Sequence, residues 1–592
     1  MSTAILIGPP VPGSPLEGDL RSLGFDVRSA ADAAETALLL DATPTGERVA
    51  LVDPRFVGHV HSLRLALTDP RFAAAAAPGA LTAQPEARAA LARVVRTAPA
   101  GPDAVAAALD AEGTAVQRIE LGSLIAAVPT DDAERDRARV AVEAVDEEAV
   151  RLRTAVKSRD GFFTTFFISP YSRHLARWCS RRGFTPNQVT TASLITALIA
   201  AGCAATGTRG GYIAAGLLLL FSFVLDCTDG QLARYSLQYS TMGAWLDATF
   251  DRAKEYAYYA GLALGAARGG DDVWELALGA MVLQITRHVV DFSFNEANHD
   301  AQSNTSPTAA LSDRLDSRGW TVWVRRMIVL PIGERWAMIA VLTAVTTPRI
   351  VFYALLVGCA LAALYTTAGR VLRSLTRKAR RTDRAARALA ELADSGPLAQ
   401  GVAAATRGAV RRFPTYVPLA IAVLGGAAVV ATAAYAPFGG LWPAVAALAY
   451  VVTSGLAVGR PLKGPLDWLV PPVFRAAEYC TVLVLAARTD ADGALPAAFG
   501  LVAAVAYHHY DTVYRIRGGT GAPPQWLVRT IGGHEGRTLV VAVLAAVLST
   551  QNHFTVALTA LAVAVALVVL AESIRFWVSS GAPAVHDEGE LA

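Results

Sequence analysis

Four aspartates stand close together in an apolar part of the chain. Asp226 and Asp229 are three residues apart, and Asp247 and Asp251 are four apart, so on helices the members of each pair share one face. A charged side chain at membrane depth is costly unless it is paired or bound to an ion. Four carboxylates on two adjacent helices therefore indicate a cation site, and their hard oxygens suit Mg²⁺ or Mn²⁺ better than zinc.

Small residues and an arginine accompany the carboxylates. Gly230 and Ala233 keep the surface beside them low, which lets a ligand approach the backbone. Arg234 supplies a guanidinium fork suited to phosphate, and Gly243, one turn before Asp247, permits close helix contact. This combination favours a diphosphate-binding site. Burial of the carboxylates in mutual salt bridges is a weaker interpretation, because the nearby sequence offers few cations.

The same residues match a family signature. The chain resembles the CDP-alcohol phosphotransferases, whose motif D-x2-D-G-x2-A-R-x8-G-x3-D-x3-D fits at all eight fixed positions. The resemblance covers roughly residues 155–370 and includes the TPNQVT segment at 185–190. The fixed positions are Asp226, Asp229, Gly230, Ala233, Arg234, Gly243, Asp247 and Asp251.

The resemblance implies a reaction and a set of roles. A substituted phosphate would pass from a CDP-linked donor, of CDP-diacylglycerol or CDP-inositol type, to an alcohol such as an inositol phosphate, with release of CMP. The four aspartates would hold two divalent cations, and Asp251 would deprotonate the acceptor hydroxyl. Spacing alone does not decide which aspartate is the base. The donor would be bound by Asp229, Gly230, Ala233, Arg234 and Gly243.

Composition indicates a membrane protein. Hydrophobic residues make up 53% of the 592 residues, only 17% are charged, and the net charge of +3 gives no support for nucleic-acid binding. The five cysteines are scattered without metal-ligand spacing, so disulfides are not expected. Met1 is followed by the strand-like AILIG rather than by a signal peptide, which predicts a cytoplasmic N-terminal unit.

Apolar segments long enough to cross a bilayer predict two blocks of six helices. They lie at about 188–207, 211–234, 243–267, 272–295, 326–347 and 349–369, then at about 416–435, 440–458, 468–487, 495–514, 537–550 and 553–575. Arginines concentrate on one side of the first six spans when these alternate. By the positive-inside rule that side is cytoplasmic, and it carries the aspartates. We expect a multi-pass protein of the inner or plasma membrane.

The chain is expected to contain six regions. They are an α/β domain at 1–150, a linker and basic interfacial helix at 151–186, the phosphotransferase membrane domain at 187–370, a basic cytoplasmic linker at 371–414, a second membrane block at 415–580 and a tail at 581–592. The layout resembles bifunctional inositol-phosphate cytidylyltransferase/di-inositol-phosphate-phosphate synthase proteins. The loop after the first strand is PPVPG, without their Gly-rich, Arg-containing loop, so we expect a degenerate nucleotidyltransferase domain.

The two membrane blocks share a sequence segment. WLDATFDRAKEY at 245–256 aligns without gaps with WLVPPVFRAAEY at 468–479. In this register Val470 replaces Asp247 and Phe474 replaces Asp251. Trp323 with Arg335 is likewise echoed by Trp526 with Arg537 at a similar separation. A duplicated six-helix unit whose second copy is non-catalytic is one interpretation, and chance similarity of two Ala-rich blocks is the other.

Other polar residues admit more than one role. Candidates for binding the acceptor phosphate are Lys254, Arg287, Arg326 and Arg335. Arg326 could instead anchor its helix at the interface. The polar group of His508, His509, Asp511, His534 and Glu535 is better explained by structural pairing than by a second site. The alternative function is a two-repeat transporter with a cation site at mid-membrane. Family resemblance also favours a homodimer.

Overall fold

The computed structural model describes residues 2–97, 101–157, 160–299, 323, 327–376, 381–489, 491–548 and 553–579. Two compact units divide the chain. One comprises Met1–Ser158, Ser169–Val189 and Cys227–Ser240, and the other comprises Arg159–Ile168, Thr190–Asp226 and Thr241–Ala592. Predicted Arg326 lies outside the described residues.

A small α/β domain opens the chain, as predicted. Its strands are β1 (Ser2–Ile7), β2 (Phe25–Ala30), β3 (Val49–Val52), β4 (Val57–Gly58), β5 (Ala74–Ala77), β6 (Ala80–Ala83), β7 (Gln117–Arg118) and β8 (Ala126–Ala127). Six form a mixed sheet in the order β2-β1-β3-β6-β5-β7, in which β6 runs antiparallel to both neighbours. The buried strands β3, β5 and β6 are continuous apolar or Thr-containing runs, typical of a sheet covered on both faces.

Short helices flank this sheet and lead out of the domain. They are α1 (Leu16–Ser22), α2 (Ala33–Ala42), α3 (Val60–Thr68), α4 (Arg88–Thr97), α5 (Pro102–Ala111), α6 (Asp132–Glu143) and α7 (Glu147–Thr154), with a 3₁₀ turn at Pro85–Ala87. The charged residues that follow Thr130 predict a solvated helix leading out of the domain, and the described structure has two helices there, α6 and α7. Asp131 caps α6, and Asp146 caps α7 by accepting the Ala149 N–H, so a new helix starts there.

A π-helical turn (Thr164–Ile168) and the helix α8 (Ser169–Arg181) precede the membrane block. In helix α8 Ala176 and Cys179 are buried, whereas Tyr171 and Trp178 are exposed, and its position in the membrane interface stays a prediction. The next helix starts at Pro186 because Thr185 and Gln188 form a capping box. The Gln188 side chain accepts the Thr185 N–H at 3.0 Å, and the Thr185 hydroxyl accepts the Gln188 N–H at 3.4 Å.

The first block of membrane helices follows the predicted order. It contains α9 (Pro186–Ala205), α10 (Arg209–Ser236), α11 (Thr241–Arg268), α12 (Trp274–Asn298), α13 (Ile332–Val345) and α14 (Pro348–Thr376). Residues 300–322 and 324–326 lie outside the described part of the chain, so the expected start of the fifth span cannot be placed.

The second half continues with helices throughout. It contains α15 (Asp383–Leu392), α16 (Pro397–Val410), α17 (Val417–Tyr435), α18 (Trp442–Val458), a 3₁₀ turn (Asp467–Leu469), α19 (Val470–Ala487), α20 (Ala494–Arg517), α21 (Gln525–Thr530), α22 (Gly533–Val547) and α23 (His553–Ser579). The basic segment expected to be a linker of helical character contains two helices, α15 packing on α12 and α16 on α18. Helix α15 packs because Leu389 and Leu392 form a buried apolar face.

Six helices in the described residues are long and apolar enough to cross a membrane by length and composition. They are Pro186–Ala205, Arg209–Ser236, Pro348–Thr376, Val417–Tyr435, Asp467–Ala487 and His553–Ser579. The chain is therefore a multi-pass membrane protein. The other six predicted spans are also helical where described, but they are shorter or more polar. Helix α11, for example, buries Lys254 and Glu255 in its middle turns.

Candidate functional site

Two consecutive helices carry the aspartates. Asp226 and Asp229 lie in the second half of α10, and Asp247 and Asp251 lie in the first half of α11. The connection between the helices is short and includes Leu237 with a φ of 54°. The helical spacing inferred from the sequence therefore holds for both pairs.

Three of the four carboxylates form one group. Asp226, Asp229 and Asp247 each offer an oxygen, and these oxygens lie within 4.8 Å of one another. Among the described residues this is the one cluster of His, Cys, Asp and Glu side chains with metal-binding spacing. Asp229 is buried, whereas the other two are half-buried. The donors are all hard carboxylate oxygens, a set that fits Mg²⁺ or Mn²⁺.

Asp251 is joined to this group through a lysine. The Lys254 ammonium lies 2.8 Å from Asp251 and also forms an ion pair with Asp226. It donates to the Ser193 hydroxyl at 3.2 Å, and the side chain is fully buried. The expectation that the carboxylates have few nearby cations was wrong, because Lys254 lies one turn beyond Asp251 and reaches both carboxylates.

A pair of serines supports the lysine. The Ser193 hydroxyl donates to the Ser222 carbonyl at 2.9 Å, and the Ser222 hydroxyl donates to the Ser193 carbonyl at 2.8 Å. Together they join α9 to α10 beside Lys254. The sequence analysis missed Ser193; its polar side chain within an apolar span was the available signal.

The remaining motif residues line the end of α10. Gly230, Ala233 and Arg234 are half-buried, as is Gly243 on the first turn of α11. The Arg234 guanidinium lies along Gly230, where an added Cβ would come within 3.5 Å of it. Arg234 also donates from Nε to the Ala155 carbonyl.

Helix α7 contacts the residue after Arg234. The Tyr235 hydroxyl donates to Glu148 at 2.9 Å, and Arg151 donates to the Tyr235 carbonyl at 2.9 Å while lying 3.6 Å from its ring centroid. The end of the motif helix and the last helix of the α/β domain are therefore bonded within one unit.

The candidate acceptor residues lie in different surroundings. Arg335 is buried and pairs with Glu255 through two hydrogen bonds of 2.9 and 3.0 Å. Arg287 is buried on α12 and donates to the Val329 carbonyl. Lys254 is the one described candidate that contacts the aspartates. Acceptor binding by these residues stays a prediction.

The polar residues of the second block are engaged in structural pairs. Asp394 lies between α15 and α16 and contacts Arg537 at 2.8 Å, Arg475 at 3.0 Å and His508 at 3.2 Å. Although burial raises the pKa of Asp394, the two guanidinium groups hold it well below the usual range. The Glu535 carboxylate accepts backbone N–H groups at the start of α16. Of the polar residues singled out in the sequence, His508 and Glu535 thus have structural partners.

Residues 184–364 match the family model described as CDP-alcohol phosphatidyltransferase. The chain carries a CDP-alcohol phosphatidyltransferase domain. The match contains all eight motif positions and confirms the family recognised from them. Residues 383–592 match a second model, described as a family of unknown function (DUF5941).

Curated relatives resemble parts of the chain. It is 26% identical over 204 residues to a bifunctional IPC transferase and DIPP synthase of Aquifex aeolicus, covering 34% of this chain and 45% of the relative. It is 34% identical over 110 residues to a phosphatidylinositol phosphate synthase of Streptomyces avermitilis, covering 19% and 43%. An archaetidylinositol phosphate synthase of Pyrococcus horikoshii is 31% identical over 105 residues, covering 18% and 54%. The chain thus spans about half of the length of these relatives.

Proposed function

We propose that this protein is an integral membrane CDP-alcohol phosphotransferase that moves a substituted phosphate from a CDP-linked donor to an alcohol and releases CMP. The observation that carries the proposal is the convergence of Asp226, Asp229 and Asp247 to within 4.8 Å inside a matching family motif. Each chain would therefore have one active site, formed by the aspartates of α10 and α11.

The carboxylate ligands support a requirement for a divalent metal ion. Asp226, Asp229 and Asp247 would hold Mg²⁺ or Mn²⁺, and Asp251 would complete the ligands of a second ion. Cations held there would neutralise the negative charge of the CDP diphosphate. The aspartates alone supply the hard oxygen ligands that these cations prefer.

The reaction is a displacement at phosphorus. The oxygen of the acceptor hydroxyl forms a bond to the phosphorus that carries the donor's alcohol, the P–O bond to CMP breaks, and CMP leaves with the electron pair. Asp251 takes the proton of the attacking hydroxyl. Lys254, 2.8 Å from Asp251, fixes the position of this carboxylate and offsets its repulsion from Asp226.

The donor and the acceptor would both bind beside the aspartates. Asp229, Gly230, Ala233, Arg234 and Gly243 bind the CDP portion. The printed names of the relatives refer to inositol phosphate products, so we propose an inositol phosphate or similar phosphoalcohol as acceptor and CDP-diacylglycerol or CDP-inositol as donor. Acceptor-binding residues are proposed among Lys254, Arg287, Arg326 and Arg335.

We also propose a membrane location and orientation for the protein and a role for its α/β domain. The membrane is the inner or plasma membrane, with the aspartates and the α/β domain on the cytoplasmic side and the product entering phospholipid or related phosphodiester synthesis. The α/β domain is a degenerate nucleotidyltransferase that no longer makes the activated donor. The family resemblance favours a homodimer, and measurement of the protein's mass in detergent tests it.

The experiment uses the purified full chain with CDP-diacylglycerol or CDP-inositol and inositol phosphate, and it measures CMP release with Mg²⁺ and with EDTA. We expect metal-dependent release that falls by about a hundredfold or more in Asp251→Asn, the range for loss of a general base. Asp271→Asn is the matched control, since Asp271, in the loop between α11 and α12, forms an exposed ion pair with Arg349 of α14. Absence of release from every CDP-alcohol, or full activity of Asp251→Asn, would contradict the proposal.

A transporter differs in the position of its cation site, which lies at mid-membrane between broken helices. Here α10 and α11 are continuous helices, and the aspartates lie in the halves of the two helices that adjoin. Cation-driven solute uptake into vesicles without CMP release would favour the transporter.

A further inference from the structure

A group of buried ion pairs joins helix α11, which carries Asp247 and Asp251, to helix α13. Glu255 accepts from Arg335 at 2.9 Å, contacts Arg252 at 3.2 Å and accepts from the Tyr259 hydroxyl at 2.7 Å. Arg252 and Glu255 lie on α11 itself, whereas Arg335 comes from the first turn of α13. One carboxylate thus joins two helices of the first block.

The same group of ion pairs recurs in the second block. Glu478 accepts from Arg537 and contacts Arg475 at 3.1 Å. Arg475 and Glu478 lie on α19 and Arg537 on α22, the helices that correspond in order to α11 and α13. Arg475 and Glu478 are the residues that the ungapped alignment pairs with Arg252 and Glu255. Chance similarity of Ala-rich sequences does not explain a repeated three-residue contact.

A second contact recurs as well. In the first block, Glu334, the residue before Arg335, accepts the Phe163 N–H at 3.2 Å. In the second, Glu535, two residues before Arg537, accepts the N–H groups of Gly396 and Ala399 at 3.0 and 3.1 Å. Each glutamate therefore bonds the backbone of the segment that precedes its own block, although the two glutamates differ by one position relative to their arginines.

The second copy has no cation ligands at the catalytic positions. Val470 and Phe474 are fully buried where the first copy has Asp247 and Asp251. The Phe474 ring stacks on His534 with centroids 4.1 Å apart. An aromatic pair fills this position instead of metal ligands. Any contribution of the second copy to activity must therefore come from its packing against the first copy.

The packing between the copies is reciprocal. Helix α11 of the first copy contacts α20 of the second, α12 contacts α19, and α12 also contacts α20. Since α11 corresponds to α19 and α12 to α20, each copy uses the same two helices, as in an isologous dimer interface. The second copy packs against the first as one protomer packs against another.

Two aromatic residues of the second copy reach the catalytic helix. Tyr510 hydrogen-bonds His288 on α12, and its ring lies 5.3 Å from the guanidinium of Arg252, the residue after Asp251. Trp577 stacks on Trp245, two residues before Asp247, with ring centroids 5.9 Å apart and planes at 20°.

Trp577 is itself held in place. Its indole N–H donates to Asp511 at 2.6 Å, and the Ser573 hydroxyl donates to the same carboxylate oxygen at 2.9 Å. Asp511 is also paired with Arg515 at 2.8 Å. The ring that meets Trp245 is therefore fixed by a buried polar network of α20 and α23.

We propose that the C-terminal block, residues 383–579, is a built-in partner that holds α11 so that Asp247 and Asp251 keep their catalytic positions. Tyr510 and Trp577 are positioning residues that act through Arg252 and Trp245. This assigns a role to the region that matches a family of unknown function. The catalytic part of the inference rests on the proposed phosphotransferase activity, whereas the clamping of α11 does not.

The test compares Trp577→Ala and Trp577→Phe in the full chain with Trp442→Ala, since Trp442 on α18 is 66% exposed. We measure kcat and KM for CMP release, the Kd for Mn²⁺ and amide hydrogen exchange of residues 241–252. For Trp577→Ala we expect kcat to fall about tenfold, donor KM to stay within about twofold, Mn²⁺ to bind more weakly and exchange to accelerate. Trp577→Phe should recover most of kcat, and Trp442→Ala should match the wild type.

Wild-type kcat and wild-type exchange in Trp577→Ala would overturn the inference. If that variant does not fold, Tyr510→Leu, which removes both the ring beside Arg252 and the hydroxyl bonded to His288, takes its place. In this variant, faster amide hydrogen exchange at residues 241–252 together with a lower kcat supports the inference that the C-terminal block holds α11. No change in either quantity overturns it. If the wild type releases no CMP from any CDP-alcohol, the proposed function fails. The hydrogen-exchange measurement still tests whether the C-terminal block holds α11 in place.

Discussion

Lys254 is the side chain that most changes the interpretation of the aspartates. Its ammonium is fully buried and contacts Asp226, Asp251 and Ser193. A buried charge of this kind is tolerated only when opposite charges and hydrogen bonds compensate for its lost hydration. The lysine and the two aspartates therefore depend on one another, and a divalent cation at the site has less negative charge left to neutralise.

Replacement of this lysine tests that dependence. In Lys254→Met, Asp226 and Asp251 lose a buried partner, and breaking such a pair costs about 3–5 kcal/mol. We expect a lower Tm and a loss of CMP release of about a hundredfold, the range for removal of one electrostatic contact at a reacting centre.

The matched control is Lys463→Met. Lys463 is 43% exposed and pairs at 2.7 Å with the largely exposed Asp383, and such surface pairs contribute about 0–1 kcal/mol. Thermal unfolding and CMP release are measured on both variants. A Lys254→Met protein as stable and as active as the Lys463→Met protein would show that the buried pair has no such role.

The sequence identified the motif residues but not their partners. Asp226, Asp229 and Asp247 could be assigned to one group because their spacing on two helices is regular. The contacts of Lys254 join three helices, and spacing along the chain does not specify which side chains meet across helices. For the same reason Arg335 was proposed for the acceptor, whereas its described partner is Glu255.

At the level of elements, the membrane helices were predicted closely. The third span, expected at 243–267, is observed at Thr241–Arg268, because its apolar residues and flanking arginine mark both ends. The charged segment after residue 130 was predicted less well. Apolar periodicity is weak there, and the side-chain cap of Asp146, which starts a second helix, determines the break.

The repeated elements predict that metal binding is confined to the first copy. Asp226→Asn combined with Asp247→Asn should abolish tight Mn²⁺ binding measured by electron paramagnetic resonance, because Val470 and Phe474 give the second copy no ligands at the equivalent positions. Asp271→Asn, in the loop between α11 and α12, should keep the wild-type number of bound ions. Tight binding that persists in the double variant would reveal a site elsewhere in the chain.

For the whole molecule, the distribution of charge predicts the orientation of both copies. In the second copy, Arg460 and Lys463 follow α18 and Arg515 and Arg517 end α20, at helix ends that share one side when the helices alternate. On the opposite side the connection from α19 to α20 begins with Arg488. The second copy thus shows the same arginine bias as the first, and by the positive-inside rule we predict that the aspartates and residue 412 face the cytoplasm.

Thiol labelling tests this orientation. Asp492→Cys lies at an exposed position between α19 and α20, and Arg412→Cys lies at an exposed position between α16 and α17. A membrane-impermeant maleimide should label the first in intact cells and the second only after the cells are opened, because the two connections face opposite sides. The five native cysteines are buried or half-buried, and the parent chain measures their background. Labelling of Arg412→Cys in intact cells would invert the orientation and remove the aspartates from the side where soluble CDP-linked substrates are made.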